Sequence, residues 1–70
     1  MSKADDMFKE LGYEKEERNF NSGKIIEYDD GFRQIDFIFR YKEVMIWNIT
    51  TDMKELKAIN KKIEELGWEE

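Results

Sequence analysis

Residues 24–49 read KIIEYDDGFRQIDFIFRYKEVMIWNI, and the fold turns on how this run is divided. Apolar side chains alternate with polar ones through most of it, no proline interrupts it, and Asp30-Gly31 sits between Tyr28 and Phe32. Alternation of period two is the pattern of a strand with one buried face. An Asp-Gly pair between two such runs predicts a two-residue type I′ hairpin, because that turn needs positive φ at both central positions. The expected register pairs Ile26 with Ile35. The next turn falls within residues 40–43, and a loop of two or of four residues gives the same faces, since either pairs odd positions of the third strand with even positions of the fourth. One face then carries Ile26, Tyr28, Ile35, Phe37, Phe39, Val44 and Ile46. The other carries Ile25, Glu27, Asp36, Ile38, Arg40, Met45, Trp47 and Ile49.

Outward from this run, strands are expected at 13–20, 24–29, 32–41 and 44–49. The first of them holds almost nothing to bury between Tyr13 and Phe20, and its charges suit an edge strand that resists pairing with other chains. Before it, Ser2 with Asp5 three residues on offers a helix cap, and Ala4, Met7, Phe8 and Leu11 recur on one face of a helix over 3–11. After the last strand, Thr51 or Asp52 caps a second helix, with Asp52 and Glu55 at capping-box spacing and an apolar stripe of Met53, Leu56, Ile59, Ile63 and Leu66. Lys54, Lys57, Lys61 and Lys62 share that helix with Glu55, Glu64 and Glu65, the make-up of a solvated, salt-laced flank, and Asn60 sits at the edge of the stripe. The expectation is a single α+β domain over 1–70, of order α-β-β-β-β-α. It is an antiparallel four-stranded meander with both helices packed on its more apolar face.

Two segments resemble each other, KELGYEKEE near the start and EELGWEE near the end. Each falls where a helix should stop. Gly12 and Gly67 are read as left-handed C-caps, with Tyr13 folding back towards Phe8 and Trp68 towards Ile63.

Composition narrows the chemistry. With neither cysteine nor histidine among 70 residues, thiolate and imidazole metal sites, haem ligation by those residues and a Ser-His-Asp mechanism are all closed. The four glycines are isolated, so no phosphate-cradling loop is present. Glu27-Tyr28-Asp29-Asp30-Gly31 fails the ligand spacing of a calcium loop. A flat sheet offers no cleft across which paired carboxyls could hydrolyse a glycoside. No catalytic, cofactor-binding or metal-binding residues are therefore expected, nor an enzyme. A net charge of −5, from 12 basic and 17 acidic residues with the signs interspersed, opposes binding to nucleic acid or anionic membrane. No apolar run reaches the roughly 18–20 residues of a membrane span. Residues 1–6, MSKADD, lack the make-up of a signal peptide's start, which with the absence of cysteine points to the cytoplasm.

The second sheet face is where function is expected. Ile38, Met45, Trp47 and Ile49 would form an apolar patch rimmed by Glu27, Asp36 and Arg40, and an exposed patch of this kind marks an association site for a protein partner or a second copy of the chain. A core this small gains from a second buried surface. An alternative from another class is an acidic nucleic-acid mimic that uses Glu14, Glu16, Glu17, Asp29, Asp30 and Asp36.

The blocks ADDMFKELGY at 4–13 and LKAINKKIEELGW at 56–68 carry a resemblance to short proteins from phages and prophages of Gram-positive bacteria, in which similar blocks bracket a variable, strand-rich middle. The resemblance covers both helices and little of the sheet. It implies a bacterial cytoplasmic setting and an accessory protein that binds, and could inhibit, a host or phage component, with specificity in residues 33–49.

Overall fold

The computed structural model describes residues 2–47 and 50–69. Helix α1 (Lys3–Glu10) leads into strands β1 (Glu14–Phe20), β2 (Gly23–Asp29), β3 (Gln34–Ile38) and β4 (Glu43–Ile46), and helix α2 (Met53–Leu66) closes the chain. The strands form one antiparallel sheet in the order β1-β2-β3-β4, the expected α+β meander. Both helices cover the same face. Phe8 of α1 and Ala58 and Ile59 of α2 are buried with Tyr13, Ile26, Tyr28, Ile35 and Phe37, and Phe39, Val44, Ile63 and Trp68 pack around them. The centre is aromatic: Phe8 stacks on Tyr28 at 4.0 Å between ring centroids and meets Tyr13 and Phe37 edge-on. Such contacts add about 0.5–1.5 kcal/mol each beyond the area they bury.

The first hairpin departs from its expected form. Ile26 pairs with Phe37 and Tyr28 with Ile35, a register two residues away from the one that joins Ile26 to Ile35. Gly31 has φ +94°, but Asp30 is not among the residues of positive φ, so the type I′ turn does not form. A longer loop replaces it because both aspartates bind the backbone ahead of them. Asp30 Oδ1 accepts from the N–H of Phe32 (2.8 Å) and of Arg33 (2.6 Å), Asp29 Oδ1 accepts from Gly31 N–H (2.7 Å), and Asp30 N–H donates to the Arg33 carbonyl (3.1 Å). A shift of two leaves every side chain on its face. The same loop takes residues 32 and 33 out of β3, and the turn into β4 begins at Phe39, so the strand is Gln34–Ile38 against the expected 32–41.

Helix α2 is rotated from its apolar stripe. Met53 and Leu56 are 67% and 36% exposed, and the residues buried from this helix are Glu55, Ala58, Ile59 and Lys62. Two charged side chains have thus displaced two apolar ones, because the core holds partners for them. Glu55 accepts hydrogen bonds from Tyr13 Oη (2.6 Å), Arg33 Nη1 (2.6 Å), Thr51 Oγ1 (3.0 Å) and its own capping-box partner, Asp52 N–H (3.1 Å). Lys62 donates to Asp5 (3.2 Å), which also accepts from Tyr28 Oη (2.5 Å) and Lys15 (2.8 Å). Burial pushes both carboxyls up. Lys15, Tyr28 and Lys62 around Asp5, and Tyr13, Arg33, Asp52 and Thr51 around Glu55, outweigh it and hold each at about 2. Burial, and donation to these carboxylates, raises the Tyr13 and Tyr28 phenols.

Both ELG segments end helices in the same way. Tyr13 N–H donates to the Phe8 carbonyl (3.0 Å) and Trp68 N–H to the Ile63 carbonyl (3.1 Å), with Gly12 and Gly67 at φ +94° and +71°. The second copy has a further task. Glu65 accepts from Ser2 Oγ (2.6 Å) and Ala4 N–H (3.0 Å), so the last turn of α2 caps the first turn of α1.

A methyl at Gly12 or Gly67 would meet no atom within 4 Å, so its cost is the backbone conformation alone. Gly12→Ala and Gly67→Ala are each expected to lower the free energy of urea unfolding by about 1–2 kcal/mol at unchanged m-value. Acid is expected to destabilise the fold through Asp5 and Glu55, whose carboxyls lie at about 2 against ordinary values of 3.8 and 4.5. The unfolded chain takes up protons first, so this stability is complete above about pH 5 and is lost as the pH falls towards 2. Urea midpoints should drop over that window, and Glu55→Gln should flatten the fall.

Candidate functional site

Strand alternation puts Glu14, Glu16, Arg18 and Phe20 of β1 on the sheet face away from the helices. Beside them lie Ile25, Glu27 and Asp29 of β2, Gln34, Asp36 and Ile38 of β3, and Glu43 and Met45 of β4. The register sets carboxylates directly opposite one another: Glu14 faces Asp29, Glu16 faces Glu27, and Glu27 faces Asp36. Like charges at such positions repel. The structure answers with a belt of hydrogen bonds that crosses the sheet. Arg18 pairs with Glu27 at 3.1 Å, the Gln34 amide donates to Glu27 and to Asp36 (3.1 Å), and the Trp47 indole N–H donates to Asp36 Oδ2 (2.9 Å).

This belt changes the place of two residues expected in the patch. Asp36 is not at its rim but in the belt, 9% exposed beneath Gln34 and Trp47. Trp47 lies just past β4, where its backbone N–H donates to the Gln34 carbonyl (2.9 Å), and its side chain is 59% exposed. The indole is therefore held by its polar edge while much of the ring faces outward. Met45, opposite Asp36 and 43% exposed, lies beside it.

Ile38 and Arg40 are drawn to the other end of the face. There Ile38 is half-buried next to Ile25, and Arg40 stacks on the Tyr41 ring at 5.5 Å. With Phe20 and Tyr41, both exposed, they line a depression of about 190 Å³. Ile49 lies outside the described residues. The single apolar patch expected from the alternation is thus two, one around Met45 and Trp47 and one around Ile38, Phe20 and Tyr41, with carboxylates between and beside them. A second depression, of about 590 Å³, is lined by Glu14, Glu16, Glu27, Asp29 and Asp30 with Lys15. Of the acidic residues expected to act together, Glu17 falls on the opposite side of β1, opposite Ile26 and 3.5 Å from Lys24, and Asp30 is in the hairpin turn.

Arg18, Phe20, Gln34, Tyr41 and Glu43 are members of this face that the alternation reading did not name. Phe20 was legible from its even position on β1, which shares the side of Glu16 and Arg18. Gln34 had a signal too, as a neutral amide two residues from Asp36 on the same face.

Among the described residues no group of three or more acidic side chains is placed to hold a metal ion, and no helix is long and apolar enough to cross a membrane. The carboxyls whose pKa moves all go down: Asp5 and Glu55 as above, and Glu65, where burial is outweighed by Ser2 and Ala4. A scan of protein-family models and searches of curated proteins and of solved structures find no match to the chain.

Proposed function

We propose that the chain is a non-catalytic, cytoplasmic binding module that receives a cationic protein surface on the open face of its sheet. The observation that carries this is Trp47, an outward-facing indole whose N–H is already bonded to Asp36. A partner that covers the ring need not break a hydrogen bond to water at its polar edge, and the side chain loses little freedom on binding. Those are the properties of an interface anchor.

Charge chooses the partner. The face carries Glu14, Glu16, Glu27, Asp29, Asp36 and Glu43 against Arg18, with Arg40 at one end. Two copies set face to face would bring these carboxylates together, whereas a basic surface with an apolar knob meets both the acids and Trp47. We take a host or phage component for that role, the setting that the expected resemblance of residues 4–13 and 56–68 implies.

The test is a titration followed by amide shifts, with a peptide of alternating lysine and leucine as probe and its glutamate-leucine counterpart as control. The basic peptide should saturate shifts of β3, β4 and the Trp47 indole, bind more weakly as salt rises, and lose about tenfold in affinity with Trp47→Ala, or 1.4 kcal/mol. Shifts confined to the helices, or equal binding of the acidic peptide, would overturn the reading. So would concentration-dependent shifts of the same residues without peptide that Trp47→Glu abolishes, since the occupant would then be a second copy.

A further inference from the structure

Away from the open face, the structure presents a projecting ring and a recess of matching size. Phe32, in the turn between β2 and β3, is 90% exposed. The turn around it is held by the four hydrogen bonds of Asp29 and Asp30 described above. The next residue is clamped to the body of the protein, Arg33 donating to the buried carboxylate of Glu55 at 2.6 Å. An aromatic ring on a loop already ordered costs little entropy to bury. On the helical side, Met7 and Glu10 of α1, Leu11 at its C-cap, and Lys54 and Lys57 of α2 line a mostly apolar recess of 160 Å³. An enclosed apolar cavity of about 150 Å³ accepts benzene, and this recess, open to solvent, is of similar volume.

We infer that a second copy of this chain seats its Phe32 ring in the recess between Met7, Leu11, Lys54 and Lys57. The charges agree. Phe32 follows Asp29 and Asp30, and neither Lys54 nor Lys57 has an acidic partner among the described residues. Glu10 on the rim opposes one aspartate, which leaves a balance of two lysines against one acid in the recess. The contact avoids the repulsion that a pairing of open faces would meet, because the recess lies on the helical layer. Arg33 and Glu55 also hold the hairpin tip beside the first turn of α2, which contributes Lys54. The inferred arrangement is a two-fold exchange of tips, which closes at two copies where a head-to-tail contact would grow into a filament.

Sedimentation velocity over a concentration series tests the pairing, with amide shifts reporting its location. Wild type should form a weak dimer, with a dissociation constant of about 0.1–1 mM, as befits a small contact. Met7, Leu11 and Phe32 amides should shift as it forms. Phe32→Ser, at a 90% exposed position, should weaken the dimer tenfold or more at an unchanged urea midpoint. Lys54→Glu combined with Lys57→Glu should do the same, while Lys57→Arg should keep it. Trp47→Glu should leave it unchanged, which separates this contact from the open face. A monomer up to about 2 mM, undiminished association of Phe32→Ser, or loss of the dimer in Trp47→Glu would each overturn the inference.

Discussion

The carboxylate of Glu55 is the junction on which the arrangement of the molecule depends. It closes the capping box of α2, accepts from the tyrosine that follows the α1 stop, and takes the guanidinium that follows the first hairpin turn. Three parts of the chain meet there with almost no access to water. A buried charge without partners would be strongly destabilising, and removal of any one donor leaves the others to compensate an ion that cannot reach solvent. The rotation of α2 follows from this. Helical periodicity alone would have put Met53 and Leu56 inward, and the position of Glu55 turns them out.

A second buried ion, Lys62, works in the same direction two turns further along the same face of α2, and the two together explain where the sequence was and was not legible. Strand parity was readable because Tyr28, Ile35 and Phe37 alternate with polar residues and nothing else competes for that pattern. Glycine stops were readable because the backbone conformation they adopt is specific to the residue. What alternation and periodicity could not show was a partner supplied from far away in the chain: Tyr13 for Glu55 across 42 residues, Asp5 for Lys62 across 57. A charged residue on a helix reads as solvated until its partner is known. The hairpin loop departs from its expected form for a related reason, since Asp30 uses its side chain to hold the following backbone and so has no need of the left-handed conformation.

The open face shows the same limit. Its membership followed from parity, but parity treats Asp36 and Met45 alike, as neighbours on one surface. Only the geometry shows that Gln34 and Trp47 enclose Asp36, that repulsion between facing carboxylates is relieved by Arg18 and an amide, and that the apolar residues divide into two groups. The consequence for recognition is a surface with anchors at separate points and acid between them, rather than a continuous greasy patch. Such a surface selects for charge pattern as well as for shape.

The bond network from Glu65 to Ser2 and Ala4 joins positions 63 and 61 residues apart. The hairpins of the meander can close over short loops, but this clasp can form only after the chain has brought its two helices together over the sheet, at the full entropic expense of the longest loop the domain contains. Ser2 caps α1 locally through the Asp5 N–H, but the Ala4 N–H has its Glu65 acceptor only once α2 is in place. The last turn of α2 thus finishes what Ser2 begins, and a fragment that lacks it keeps the local cap of α1 but loses the acceptor of the Ala4 N–H.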